Sequence, residues 1–238
     1  TALKAKEYPE IKFAIVDNAY FPAAAGDPDP YIAMSNVTSL MFQEDEVGFL
    51  AGVLAGGMTQ TGTVCSVSGM EIPPVQRFVI GYQNGAEWMK PGTTALNVYI
   101  PSFIDPAKGK ETGLSMIGQG CDVIFGVGGN TGNGGLLAAK ENNLMAIGVD
   151  VDQYNTYPEV ADALISSAAK NVDVAVYEFL KALDAGDFTA GIVTANLQNG
   201  GVGLAPFHDW ESIIPAEVKA KIEEATAGLK DGSIATGY

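Results

Sequence analysis

Apolar, strand-forming runs alternate with helix-forming segments along most of this chain, and that alternation limits its fold more than any other feature. Ile11–Val16 is an apolar, β-branched run that ends at Asp17. Further strands are expected at Gly62–Val67, Thr94–Ile100, Cys121–Val127, Leu144–Val149 and Ala163–Ala168, with Asp150 closing the Leu144 run. Helices are expected at Glu44–Met58, Pro74–Met89, from Asp105-Pro106 onward, Thr131–Asn142, Val172–Leu183 and Pro215–Leu229. Their starts carry recognisable signals: acidic Glu44-Asp45-Glu46 suits a helix dipole, and Asp105 before Pro106 suits an N-cap. Ala2–Lys6 reads as a helix end, Val37–Met41 as a short apolar piece and Ile192–Leu204 as a glycine-rich strand region. Asn18–Pro30 reads as a loop and Thr59–Thr61 as a linker. Such alternation builds parallel sheets through right-handed crossovers, so the fold class is α/β.

In sheets of this kind ligands gather at the carboxyl ends of the strands. The polar residues expected there are Asp17, Gly69, Ser102-Phe103, Gly128-Gly129-Asn130 and Asp150. Gly126–Gly134 follows a strand and opens a helix. Its glycines, with Gly129 and Asn130 at the turn, let a ligand approach the backbone closely. A tight strand-to-helix turn would use several of the same glycines. Asp150 and Asp152 can each grip two hydroxyls at once or else serve as a helix or turn cap; Asp150, directly at the strand end, is the stronger candidate. Phe103 offers a flat face for a base, or else covers the sheet edge as a core residue. Lys170 can donate to ligand hydroxyls or pair with a carboxylate; a solvated lysine is the blander alternative.

Charge removes other classes of function. The chain carries 28 acidic against 13 basic side chains, a net charge of −15, which repels phosphate backbones and anionic membranes. No nucleic-acid partner is therefore expected. Catalytic motifs are missing as well: the single histidine, His208, lies in a loop reading, and no nucleophile elbow, phosphate loop or metal-ligand spacing occurs. Neither an enzyme nor a metal or cofactor is expected. Cys65 and Cys121 each sit in or beside an apolar run. Two small buried thiols are the favoured reading, with a single bridge as the alternative. Val47–Met58 is too short and too glycine-rich to span a bilayer.

Taken together, the segments resemble the basic membrane protein family of ABC-transporter substrate-binding lipoproteins. The resemblance is carried by Glu44–Gly52, Thr61–Val64, Gly69–Pro73, Phe78–Ala86, Ser102–Lys110, Gly120–Phe125, Thr131–Gly134, Gly148–Gln153 and Lys170–Tyr177, in that order. It implies a type I periplasmic-binding-protein fold, with two lobes, each a parallel sheet flanked by helices, joined by hinge strands. Lobe 1 would comprise residues 1–60 and 160–195, and lobe 2 residues 61–159 and 196–238. It further implies a monomer that binds a purine nucleoside and hands it to the membrane subunits of an importer. The expected location is extracytoplasmic, with a lipid anchor. Phe103 matches one of two phenylalanines that sandwich the purine, and the Gly129 loop matches backbone contacts. Asp150 and Lys170 match groups holding the ribose, and Asp17 matches a carboxylate facing the base. The family's early Ser-Phe-Asn segment has no counterpart here, so the chain reads as starting partway through the first lobe. Riboflavin or another flat heterocycle is the alternative ligand; a nucleotide-cofactor enzyme or a regulator's effector domain are alternatives of other classes.

Overall fold

A computed structural model describes residues 1–19 and 34–238. Most of the loop read over Asn18–Pro30 therefore lies outside the described residues. The described chain forms two compact units, Thr1–Gln43 with Asn171–Gly201, and Glu44–Lys170 with Val202–Tyr238.

The first unit holds a parallel sheet in the order β1 (Phe13–Val16), β2 (Val37–Phe42) and β8 (Gly191–Ala195). Helix α1 (Ala2–Glu7) is fastened to it by buried Asn36, whose amide donates to the carbonyls of Ala5, Tyr8 and Ile11 at 2.9, 3.1 and 3.0 Å. Helix α7 (Val172–Asp184) contributes Val174 and Phe179 to an apolar cavity of about 300 Å³, which Leu40, Phe188 and Val193 also line.

The second unit is built on six strands in the order β4 (Thr94–Tyr99), β3 (Thr63–Ser68), β5 (Val123–Val127), β6 (Met145–Asp150), β7 (Leu164–Lys170) and β9 (Val202–Leu204). All pair in parallel except β9, which runs antiparallel to β7. The Ile192–Leu204 region is thus two strands, one in each unit, separated by the turn Asn196–Gly201, in which Gly200 takes φ +74°. Apolar content alone did not reveal that break.

Side chains of a strand alternate between the faces of its sheet. Phe125 of β5 meets Phe78 and Tyr82 of α3 (Pro73–Met89), with ring centroids 6.0 and 5.0 Å apart. Its neighbour Ile124 points the other way, into a core with Cys65, Val67, Met116 of α4 (Pro106–Ile117) and Leu136 of α5 (Gly129–Glu141). Asp105 caps α4 as expected, accepting from Lys108 N–H at 2.9 Å.

Helix α2 (Glu44–Met58), grouped with lobe 1 on the sequence, packs against α3 in the second unit. Its glycines allow the contact. A Cβ on Gly48 would lie 2.5 Å from the Phe78 carbonyl oxygen, and one on Gly52 or Gly85 would overlap a carbonyl oxygen of the facing helix. The Thr59–Thr61 segment is an internal turn of this unit. Buried Asp122 holds it, accepting from Thr59 Oγ1 (2.6 Å), Gln60 N–H (2.7 Å) and Thr61 N–H (2.9 Å).

The two cysteines correct the favoured reading of free thiols: Cys65 of β3 and Cys121, just before β5, are joined in a buried disulfide. Helix α8 (Ala216–Asp231) completes the unit, packing on α2.

Candidate ligand-binding site

In the second unit the parallel strands end in register. Ser68 stands opposite both Tyr99 and Val127, and Asp150 stands opposite Ala169. The segments leaving these ends carry five of the six candidates: Phe103 after β4, Gly129 and Asn130 after β5, Asp150 at the tip of β6 and Lys170 at the tip of β7.

Phe103 folds back over the neighbouring strand ends and is half-buried. A Cβ on Gly69 would lie 2.5 Å from its Cδ1, and one on Gly128 would lie 3.3 Å from the same atom. Only glycines at the exits of β3 and β5 leave room for this ring. Its backbone is pinned too, the Phe103 carbonyl accepting from Thr131 N–H at 3.3 Å. Thr131 Oγ1 in turn donates to Ser102 O (2.8 Å) and accepts from Asp105 N–H (3.0 Å), locking the β4–α4 connection to the start of α5.

The turn into α5 has φ +122° at Gly128 and +56° at Gly129, values that glycine adopts at little cost. Gly129 and Asn130 are exposed in the first turn of that helix, where backbone N–H groups have no intrahelical acceptor.

Asp150 is exposed and sits at φ +65°, in the left-handed region that non-glycine residues rarely occupy. Its strand is held by Gln153, a residue that the sequence reading passed over. The Gln153 side chain accepts from Val149 N–H (2.8 Å) and donates to Asn133 Oδ1 (2.8 Å), while its backbone N–H donates to Ser167 Oγ (3.1 Å). One buried residue, through its side chain and its backbone N–H, therefore ties β6, α5 and β7 together three positions after Asp150. No local pattern marks such a glutamine, because two of its three partners, Asn133 and Ser167, lie 20 and 14 positions away.

Lys170 departs from the solvated reading. It is buried, and its Nζ lies 3.0 Å from Glu44 Oε1. Asp152 behaves as a cap: it accepts from Tyr154 N–H at 3.3 Å at the start of α6 (Gln153–Thr156) and lies 2.8 Å from His208 Nε2. The His208 ring stacks on Tyr154 at a 4.0 Å centroid distance. The Tyr154 hydroxyl bonds Asp209, and this hydrogen bond, with burial and the nearby carboxylates, raises the tyrosine's pKa.

Asp17 belongs to the first unit. It ends β1, is exposed, and takes φ +59°, with its N–H bonded to Leu40 O at 3.0 Å. Among the described residues no group of His, Cys, Asp or Glu is arranged to hold a metal, and no helix is long and apolar enough to cross a membrane.

Comparison with known proteins adds an independent line. Residues 1–231 match the family model Bmp, described as ABC transporter substrate-binding protein, PnrA-like. The chain is 34% identical to an uncharacterised lipoprotein of Pyrococcus horikoshii, over 84% of this chain and 49% of that protein. It is 33% identical to the ABC transporter nucleoside-binding protein BmpA of Lactococcus lactis, over 98% of this chain and 66% of that protein. The chain thus spans about half to two thirds of the length of these relatives. A solute-binding protein of an ABC transporter system from Aeropyrum pernix superposes with a TM-score of 0.81 at 30% identity, covering 97% of this chain and 72% of the other.

Proposed function

We propose, from the premise that this chain belongs to the Bmp family of PnrA-like ABC transporter substrate-binding proteins, that it captures a purine nucleoside for import. The observation supporting this reading is that Phe103, the open turn at Gly129, Asp150 and Lys170 all sit at the same end of one parallel sheet. Neighbouring strands lie about 4.8 Å apart, so the ends of β5 and β7 are roughly 10 Å apart. That span matches the long dimension of a base joined to a ribose.

In this reading the base stacks on Phe103, and the backbone at Gly129 and Asn130 bonds the ligand. Asp150 accepts from two adjacent ribose hydroxyls, and Lys170 adds a cationic donor on the next strand. No bond is made or broken, so the protein is a carrier and not an enzyme. Binding energy favours a ligand-closed state that the importer's membrane subunits recognise.

The location follows by similar reasoning. A buried disulfide persists in an oxidising compartment, and a relative is named a lipoprotein. Both support a protein outside the cytoplasm, lipid-anchored in its full-length form.

Isothermal titration of the full-length protein with inosine, guanosine, adenosine and riboflavin tests the ligand. Purine nucleosides are expected to bind. Asp150→Ala, which removes charge-assisted hydrogen bonds, is expected to weaken binding roughly 10- to 100-fold. Phe103→Ala loses base stacking and is expected to weaken it by a similar factor, roughly 5- to 100-fold. Heat from riboflavin alone would replace the nucleoside. Unchanged affinity in both variants would remove the site.

A further inference from the structure

Glu44 opens α2 and is fully buried. The sequence suggests only that its charge complements a helix dipole. In the structure its two oxygens face two cations: Oε1 lies 3.0 Å from Lys170 Nζ, and Oε2 lies 3.3 Å from Arg77 Nη1 of α3. A carboxylate taken out of water is costly unless it is paired and hydrogen-bonded, and Glu44 is paired on both oxygens.

The position of this pair in the chain gives it a further meaning. The chain passes between its two units after Gln43, after Lys170 and after Gly201. Glu44 is the first residue of the second unit, Lys170 is the last residue before the chain leaves it, and Val202 is where the chain returns. Lys170 and Val202 are paired across β7 and β9. One ion pair and one strand pair therefore gather all three passages at the tip of β7. The same ion pair fixes the Lys170 side chain at the tip of β7, the strand that pairs with β6 next to Asp150.

We propose that Glu44 is a positioning residue, which holds the Lys170 ammonium at the ligand edge and fastens together the three chain passages. The ligand half of this statement rests on the nucleoside reading above; the fastening half does not. The chemistry requires a carboxylate. In Glu44→Gln only one oxygen remains as an acceptor, and the amide N–H groups face either Lys170 or Arg77, donor against donor.

Amide hydrogen exchange and nucleoside titration of the full-length protein, wild type and Glu44→Gln, test both halves. The amides of Asn171 (to Gly201 O) and Ala205 (to Ser167 O) report on the passages; those of Thr94 (to Gly62 O) and Asp122 (to Thr63 O) report on the distant half of the sheet. The expected result is exchange roughly tenfold faster at Asn171 and Ala205 with little change at Thr94 and Asp122, since local opening need not follow global unfolding. Nucleoside affinity is expected to fall roughly tenfold, the loss of one charge-assisted contact. Unchanged exchange at Asn171 and Ala205, or equal acceleration at all four amides, overturns the fastening role. Loosened passages with unchanged nucleoside affinity overturn the link to the ligand. A wild type that binds no nucleoside, with passages loosened in the variant, rejects the nucleoside reading and leaves the fastening role standing. If Glu44→Gln does not fold, Glu44→Asp, which keeps the charge and shortens the reach, is read against the same amides.

Discussion

Replacing Cys65 and Cys121 together by serine is expected to lower the stability of the second unit by about 4 kcal/mol and its Tm by roughly 8–16 °C. The bridge joins residues separated by 56 positions, and a loop of that size lies between the lengths for which closure contributes about 3 and about 4.7 kcal/mol. Its place amplifies the effect. Cys65 lies on β3, an interior strand of the sheet, and Cys121 sits at the foot of β5, among the core residues shared with α4 and α5. Two serine hydroxyls left in that apolar cluster would add their own desolvation cost. Calorimetry of the wild type and the double serine variant gives the difference directly. A Tm shift below about 2 °C would mean that the bridge constrains nothing that folding does not already constrain. Because both sulfurs are buried, a reductant is expected to reach them only once the unit has opened.

The second large effect is expected at Gly85. Helix propensity alone favours alanine over glycine by about 1 kcal/mol within a helix, so on a local view Gly85→Ala stabilises α3. The tertiary contact reverses the sign. A Cβ there would overlap the carbonyl oxygen of Phe49, and that atom belongs to the α2 backbone, which cannot swing aside as a side chain can. Gly52 meets the Tyr82 carbonyl from the opposite direction, and Gly81 meets that of Asp45. Separating two helices along such a seam costs about 3 kcal/mol or more, the upper end of overpacking effects. Urea denaturation of Gly85→Ala is expected to show a clear loss of stability; a gain of any size would refute the close approach of α2 and α3.

These two predictions also mark where the sequence stops being readable. Strand ends and helix starts are local events, governed by adjacent residues. Asp105-Pro106 therefore capped α4 as read, and Glu44–Met58 became α2 with the same bounds. The candidate residues of the second unit came to one edge for the same reason, since each was read from the end of a strand and parallel strands end together. Long-range pairing carries no such signal. Glu44 looked like a dipole complement until Lys170 arrived from 126 positions away. Gln153, one residue of an unremarkable polar turn, holds three elements through partners that periodicity does not show. The glycines of α2 and α3 act as clearance, which only the facing helix reveals. The break inside Ile192–Leu204 was missed because both halves have strand-like composition and only the turn between them separates β8 from β9.

The backbone at Asp17 and Asp150 has a consequence of its own. Each aspartate closes a strand in a left-handed conformation, at φ +59° and +65°, which costs an L-residue about 1–2 kcal/mol and glycine almost nothing. A protein shaped for thermal endurance alone would put glycine at both positions. A carboxylate at each point therefore comes at some cost in rigidity, so a screen for heat-resistant variants would tend to discard the two side chains that the family resemblance assigns to the ligand.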